Sequence, residues 1–151
     1  MCSSDLDLPR NTSDKELKAV ADRGGVAGIY FMPFLKSAGQ AHSEDVIRHL
    51  EHAVTTCGED HVGLGTDGTV SGTVLNDAYK KSQRKFVEDR IRAGIAAPGE
   101  SPDVFNLIPE YNDPRRFKTL ADDLAQRGWP SGRIEKILGN NFARLFAEVW
   151  T

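Results

Sequence analysis

Residues 26–35, VAGIYFMPFL, are apolar almost without interruption over the length of one strand. A strand with no polar face cannot rest against water on either side. It belongs in a parallel sheet covered by helices on both faces. Pro33 marks its end, because proline cannot donate to a ladder. A second run, HVGLGTDG at residues 61–68, is a short strand that breaks at glycines.

Helical patterns surround these strands. Ser13-Asp14-Lys15-Glu16 spells the S-x-x-E capping box, with Leu17, Val20 and Ala21 behind it at helical spacing and Gly24-Gly25 as its stop. Ser43 is placed to cap a second helix reaching about Thr56, with Val46, Ile47, Leu50, Ala53 and Val54 on one stripe. Helix, strand, helix, strand with short connections is α/β organisation, as in a barrel or a doubly wound sheet. Past Gly68 the pattern loosens. TVSGTVLND reads as loop, AYKKSQRKFVEDRIRAG as a charged helix with little apolar face, and IAAPGESPDVFNLIPEYND as an irregular excursion. Asp113-Pro114 opens a helix carrying Phe117, Leu120 and Leu124, and Ser131 caps a last one with Ile134, Ile137, Leu138, Phe142, Leu145, Phe146 and Val149 turned inward. Two central strands cannot cover each other's edges and faces, so the chain reads as part of a larger sheet.

Composition excludes some classes. With 39% hydrophobic residues and a formal charge of −3, the chain has a globular balance and no broad cationic surface for nucleic acid. The last two helices are therefore not read as a DNA-binding helix-turn-helix. No apolar run approaches the roughly 20 residues of a membrane span. Residues 1–6, MCSSDL, read as a translated sequencing-adaptor scar and are set apart from fold reasoning, with the domain running over 7–151. Cys57 is then the single cysteine outside that segment, and a lone thiol makes no intramolecular disulfide.

Candidate chemistry is sparse. GLGTDG spells G-x-G-x-x-G after a strand, but the dinucleotide fingerprint needs a helix to open at once, and TVSGTV follows instead. In the same stretch Asp67 stands at the carboxyl end of a buried strand. There a carboxylate serves as general acid/base or metal partner, or merely shapes the turn; spacing leaves both open. Arg10, just before the first cap, has a planar fork suited to a substrate carboxylate, though composition alone makes it a surface arginine. His49 and His52, three apart on a helix with Asp45, fall beside the apolar stripe and read as surface histidines rather than metal ligands. The run Lys80, Lys81, Arg84, Lys85 is interleaved with acids and reads as a solvated face.

Three stretches together carry a resemblance: LPRNTSDKELKAVADRGGVAGIYFMPFL, EDVIRHLEHAVTTCGEDHVGLGTDG, and RIEKILGNNFARLFAEVW with its G-x-N-x-x-R-x-F pattern. They resemble the C-terminal part of the membrane (renal) dipeptidases, zinc enzymes built on an amidohydrolase-like (β/α)₈ barrel. The likeness is weakest over residues 69–109. It implies the C-terminal portion of such a barrel, with the barrel incomplete. It also implies a hydrolase in which two zinc ions share a hydroxide that attacks a dipeptide carbonyl. By the same resemblance Arg10 holds the substrate carboxylate, and Asp67 lies near the substrate amino group and the reacting centre. Many relatives carry Asp-Phe-Asp where this chain has Asp67-Gly68-Thr69, so the second acid is missing. The family's zinc ligands all fall upstream of Arg10. The expectation is therefore that the chain starts inside the active-site loop and, as it stands, neither binds the zinc pair nor cleaves dipeptides. For the complete protein the resemblance allows a homodimer. A related barrel hydrolase for another amide or a lactone, and a non-catalytic remnant with a binding or assembly role, remain as alternatives.

Overall fold

The structure is a computed structural model and describes residues 11–150. The first helix, α1 (Asp14–Ala21), starts at the expected box. Ser13 is its N-cap, the Glu16 amide donates to Ser13 Oγ at 3.4 Å, and the Ser13 amide donates to Glu16 Oε2 at 2.8 Å. The Ser13 hydroxyl, which donates to Glu16 Oε2 at 2.7 Å, and then the Ser13 amide hold the Glu16 carboxyl below its usual range.

Strand β1 (Ala27–Tyr30) follows, and after helix α2 (Ser43–Cys57) comes strand β2 (Val62–Gly65). The strands pair in parallel, Ala27 opposite Val62 through Tyr30 opposite Gly65, and Phe31 N extends the ladder to Gly65 O at 3.0 Å. A parallel pair needs a crossover, and α2 supplies it. β1 is shorter than its apolar run because Met32 and Pro33 lead into a 3₁₀ turn, Pro33–Leu35. Its two-sided burial is also incomplete. Gly28 is exposed, since a two-stranded sheet leaves β1 without a further neighbour among the described residues.

The core lies between this sheet and α2. Val46, Leu50, Ala53 and Val62 are almost wholly excluded from solvent, and Leu120, Leu124 and Ile137 join them from the C-terminal helices. Each buried Val, Leu or Ile among them contributes about 2 kcal/mol of transfer free energy. Helix α2 begins at Ser43 itself, with His42 in the cap position. Its start is held by the Asp45 carboxylate, which accepts from the His42 amide at 2.9 Å. His49 departs from the surface reading. It is 8% exposed, and its Nε2–H donates to Leu35 O at 2.9 Å. The 3₁₀ turn folds back over α2 and widens the covered stripe by one position. Burial drives the His49 pKa down from the usual imidazole value.

Helix α3 (Asp77–Arg92) is the expected charged helix and buries only Val87. The excursion after it is irregular apart from a 3₁₀ turn, Pro109–Tyr111. Helix α4 (Arg116–Gln126) begins two residues after Pro114, which sits in the preceding turn, and Phe117 is exposed rather than inward. Ser131 opens α5 (Ser131–Glu135) as its first residue. A π-type turn, Lys136–Asn140, joins it to α6 (Asn141–Val149).

The inward face expected of α6 is only partly covered. Phe142 lies over Gly63, where an added Cβ would come 2.4 Å from its ring. Phe146 and Val149, however, are 42% and 60% exposed. Two strands give the helix too little sheet to cover. The aromatic ladder Phe142–Phe146–Trp150 stacks along its outer part instead.

The G-x-N-x-x-R-x-F pattern has a structural task. Asn141, 3% exposed, donates from Nδ2 to Glu59 O and to Val62 O, each at 2.7 Å. Arg144 reaches Asp60 O at 3.0 Å and Gly24 O at 3.4 Å. Lys136 and Arg133 add ion pairs to Glu59, whose carboxyl they hold below the usual range. All these contacts clasp the amino-terminal ends of the strands, the stabilising face of a parallel α/β layer.

Candidate functional site

The parallel strands end at one edge, and the sequence places chemistry there. Tyr30 closes β1, and Asp67 stands two residues beyond the end of β2. The Tyr30 hydroxyl donates to Asp67 Oδ2 at 2.7 Å. Asp67 is exposed, and among the described residues it alone of the non-glycines has a left-handed backbone, with φ 46°. Aspartate tolerates that region better than most side chains. Asp67 thus turns the chain, as one of the two sequence readings has it, and the turn presents its carboxylate at the rim. A cleft of about 240 Å³ opens beside the pair, bounded on its far side by α3 and the segment around Val104.

The loop leaving Asp67 is held by side chains that stand in for a third strand. Arg116, 8% exposed, donates from Nη2 to Thr69 O at 2.9 Å and from Nε to Asp113 O at 3.0 Å. Asn112 brackets Thr73, accepting from its amide at 2.6 Å and donating to its carbonyl at 2.8 Å. Gly72 is required by this approach, since a Cβ there would fall 2.2 Å from Asn112 O. Gln40 treats the opposite wall in the same way. It accepts from Phe105 N at 2.8 Å and donates to Leu107 O at 2.7 Å. None of these three polar residues stood out in the sequence. Periodicity marks apolar faces, whereas a side chain that replaces a ladder bond has no pattern of its own.

The remaining candidates are placed as follows. Arg10 and residues 1–6 lie outside the described residues. No helix follows Gly68 until Asp77, so the glycines of GLGTDG do not open a helix as the dinucleotide fingerprint requires. His42 pairs with Glu110 at 2.7 Å, His52 with Asp14 at 2.7 Å, and His61 with Gly25 O at 2.9 Å. Among the described residues no group of three or more His, Cys, Asp or Glu side chains is arranged to hold a metal ion. Cys57 is half-buried with its thiol donating to Ala53 O at 3.2 Å, and burial pushes its pKa up, which disfavours the nucleophilic thiolate. No helix of the described residues is long and apolar enough to cross a membrane.

Parallel strands with a crossover helix, a clasp at their amino ends and a turned-out carboxylate at their carboxyl ends are what a portion of a parallel α/β barrel presents. An amidohydrolase from Pseudomonas aeruginosa has the same fold, with a TM-score of 0.70 and 29% identity over 98% of this chain and 43% of that one. A metallo peptidase from Rhodobacter sphaeroides, liganded with a phosphinate mimic of the dipeptide L-Ala-D-Ala, matches at a TM-score of 0.64 and 21% identity, over 93% of this chain and 32% of its own. The chain belongs to the membrane dipeptidase family, peptidase family M19, whose model matches residues 3–89. An uncharacterized protein in the pqqA 5′ region of Klebsiella pneumoniae is 30% identical over 94% of this chain and 42% of its own length. The chain thus spans about two fifths of that relative.

Proposed function

We propose that this chain is the C-terminal portion of a zinc-dependent dipeptidase that cuts a free-ended dipeptide into two amino acids. The observation that carries the reading is the Tyr30–Asp67 pair at the carboxyl edge of the sheet. An exposed carboxylate, set by a strained turn and oriented by a phenol, suits a substrate ammonium. A charge-assisted contact of that kind is about twice as strong as a neutral one. Tyr30 fixes which Asp67 oxygen faces outward. Arg10 takes the opposite end of the substrate, its fork matching a carboxylate. The zinc ligands come from outside residues 7–151. Family membership supports the dipeptide substrate, and the phosphinate-bound Rhodobacter neighbour supports a metal-dependent peptidase on this fold. The amidohydrolase neighbour favours, as second reading, a different amide at the same rim.

The test is an assay of the complete protein, zinc-loaded, on dialanine beside simple amides and lactones. Dipeptide hydrolysis falling about tenfold or more in kcat/KM with Asp67→Asn is the expected result. Full activity in that variant, or turnover of amides and lactones alone, would overturn the assignment. The 151-residue chain assayed alone is expected to be silent.

A further inference from the structure

Arg116 carries a buried charge that no carboxylate among the described residues neutralises. Its side chain, 8% exposed, spends Nε on Asp113 O and Nη2 on Thr69 O and Val70 O, all neutral acceptors. Nη1 has no hydrogen-bond partner among the described residues. The acid closest in sequence, Asp113, is turned to Arg115, accepting from its amide at 2.5 Å and lying 3.6 Å from its Nε. A charge held out of water without a counter-charge costs several kcal/mol, so buried charges are found paired.

Nη1 faces Gly68, where an added Cβ would stand 3.4 Å away, and both residues line a small pocket. That pocket lies on the other face of the strand ends from the cleft beside Asp67. Phe31, Thr66 and Gly68 line the pocket, and the alternate residues Tyr30, Met32 and Asp67 line the cleft. No carboxylate is among the pocket's lining residues, whereas Thr66, Ser71 and Thr73 are. Their three hydroxyls make no hydrogen bond among the described residues, so each has a proton to offer. The volume, about 30 Å³, gives room for a single small ion and none for an amino acid.

From this geometry we infer that the pocket binds a small monovalent anion of the halide class, with Arg116 Nη1 as its charge partner and the hydroxyls of Thr66, Ser71 and Thr73 as neutral donors. The anion ties the first residue of α4 to the loop over residues 66–73, and its occupancy stiffens the segment that leaves Asp67.

The probe is chloride, exchanged against gluconate at constant ionic strength, so that general screening stays fixed and the replacing anion is too large to enter. The urea midpoint of the 151-residue chain is expected to rise saturably with chloride, as it does for a ligand that binds only the folded state. Gly68→Ala tests the site without removing a native contact. The backbone at Gly68 is not left-handed, and the methyl meets Nη1 at ordinary contact distance while taking the space of the anion. This variant should keep the parent's midpoint in gluconate and lose the rise with chloride. Arg116→Gln should lose the rise as well; should it not fold, Gly68→Ala decides alone. A parent midpoint indifferent to chloride, or a rise that either folded variant retains in full, would overturn the anion site.

Discussion

The buried guanidinium of Arg116 donates to the carbonyl of Thr69, 47 positions earlier in the chain, and thereby sets the course of the loop that leaves Asp67. Hydrogen bonds to a charged group are worth about 1.5–3 kcal/mol, and the carbonyl would otherwise lack this partner. Arg116→Met should therefore cost about 2 kcal/mol in urea unfolding. The same substitution should strip amide-exchange protection from residues 69–73 before any other segment loses it.

Gly72 tests the same loop from the steric side. A methyl group there meets backbone oxygen at 2.2 Å, and backbone has little room to give. Gly72→Ala should destabilise by about 1–3 kcal/mol, the cost of overpacking. Equal urea midpoints for variant and parent would show that the approach is looser than described.

Asn141 and its neighbour Asn140 differ sharply. Asn141→Leu leaves two carbonyls at the foot of the sheet short of a donor and should cost about 2 kcal/mol or more. Asn140 is exposed, and Asn140→Leu should stay within about 0.5 kcal/mol of the parent. Chemical denaturation of the two variants side by side decides the point.

His49 carries a pH dependence. Burial lowers its folded-state pKa below the unfolded value of 6.5, so in the window below 6.5 the unfolded chain binds more protons than the folded one. Its contribution to stability is thus fully present above 6.5 and is lost as pH falls toward the folded value. The urea midpoint of the parent should drop between about pH 7.5 and 5.5. His49→Gln, which keeps a donor for Leu35 O, should flatten that part of the profile. A parent and variant with parallel profiles would show that His49 does not titrate with unfolding.

Much of the scaffold was legible because local chemistry dictates it. Ser13 and Glu16 can satisfy each other only at a helix start, and the parallel pairing followed from an apolar run with no polar face. Asp67 was legible as a rim carboxylate from its place after β2, but not its bond to Tyr30, 37 positions away. His49 was misplaced because the turn that buries it belongs to another segment. The inward face drawn for α6 was too generous for the same reason: Phe146 and Val149 have the right period, yet period does not say how much surface lies opposite. Gln40, Asn112 and Arg116 bond backbone far along the chain, a relation that composition and spacing do not encode.

The clasp of Asn141 and Arg144 and the rim at Asp67 lie at opposite ends of strands only four residues long, a separation of about 13 Å. That division has an evolutionary consequence. Substitutions that retune the rim for a new substrate leave the foot of the sheet untouched, so descendants of this chain can change what they accept without first losing the ability to fold.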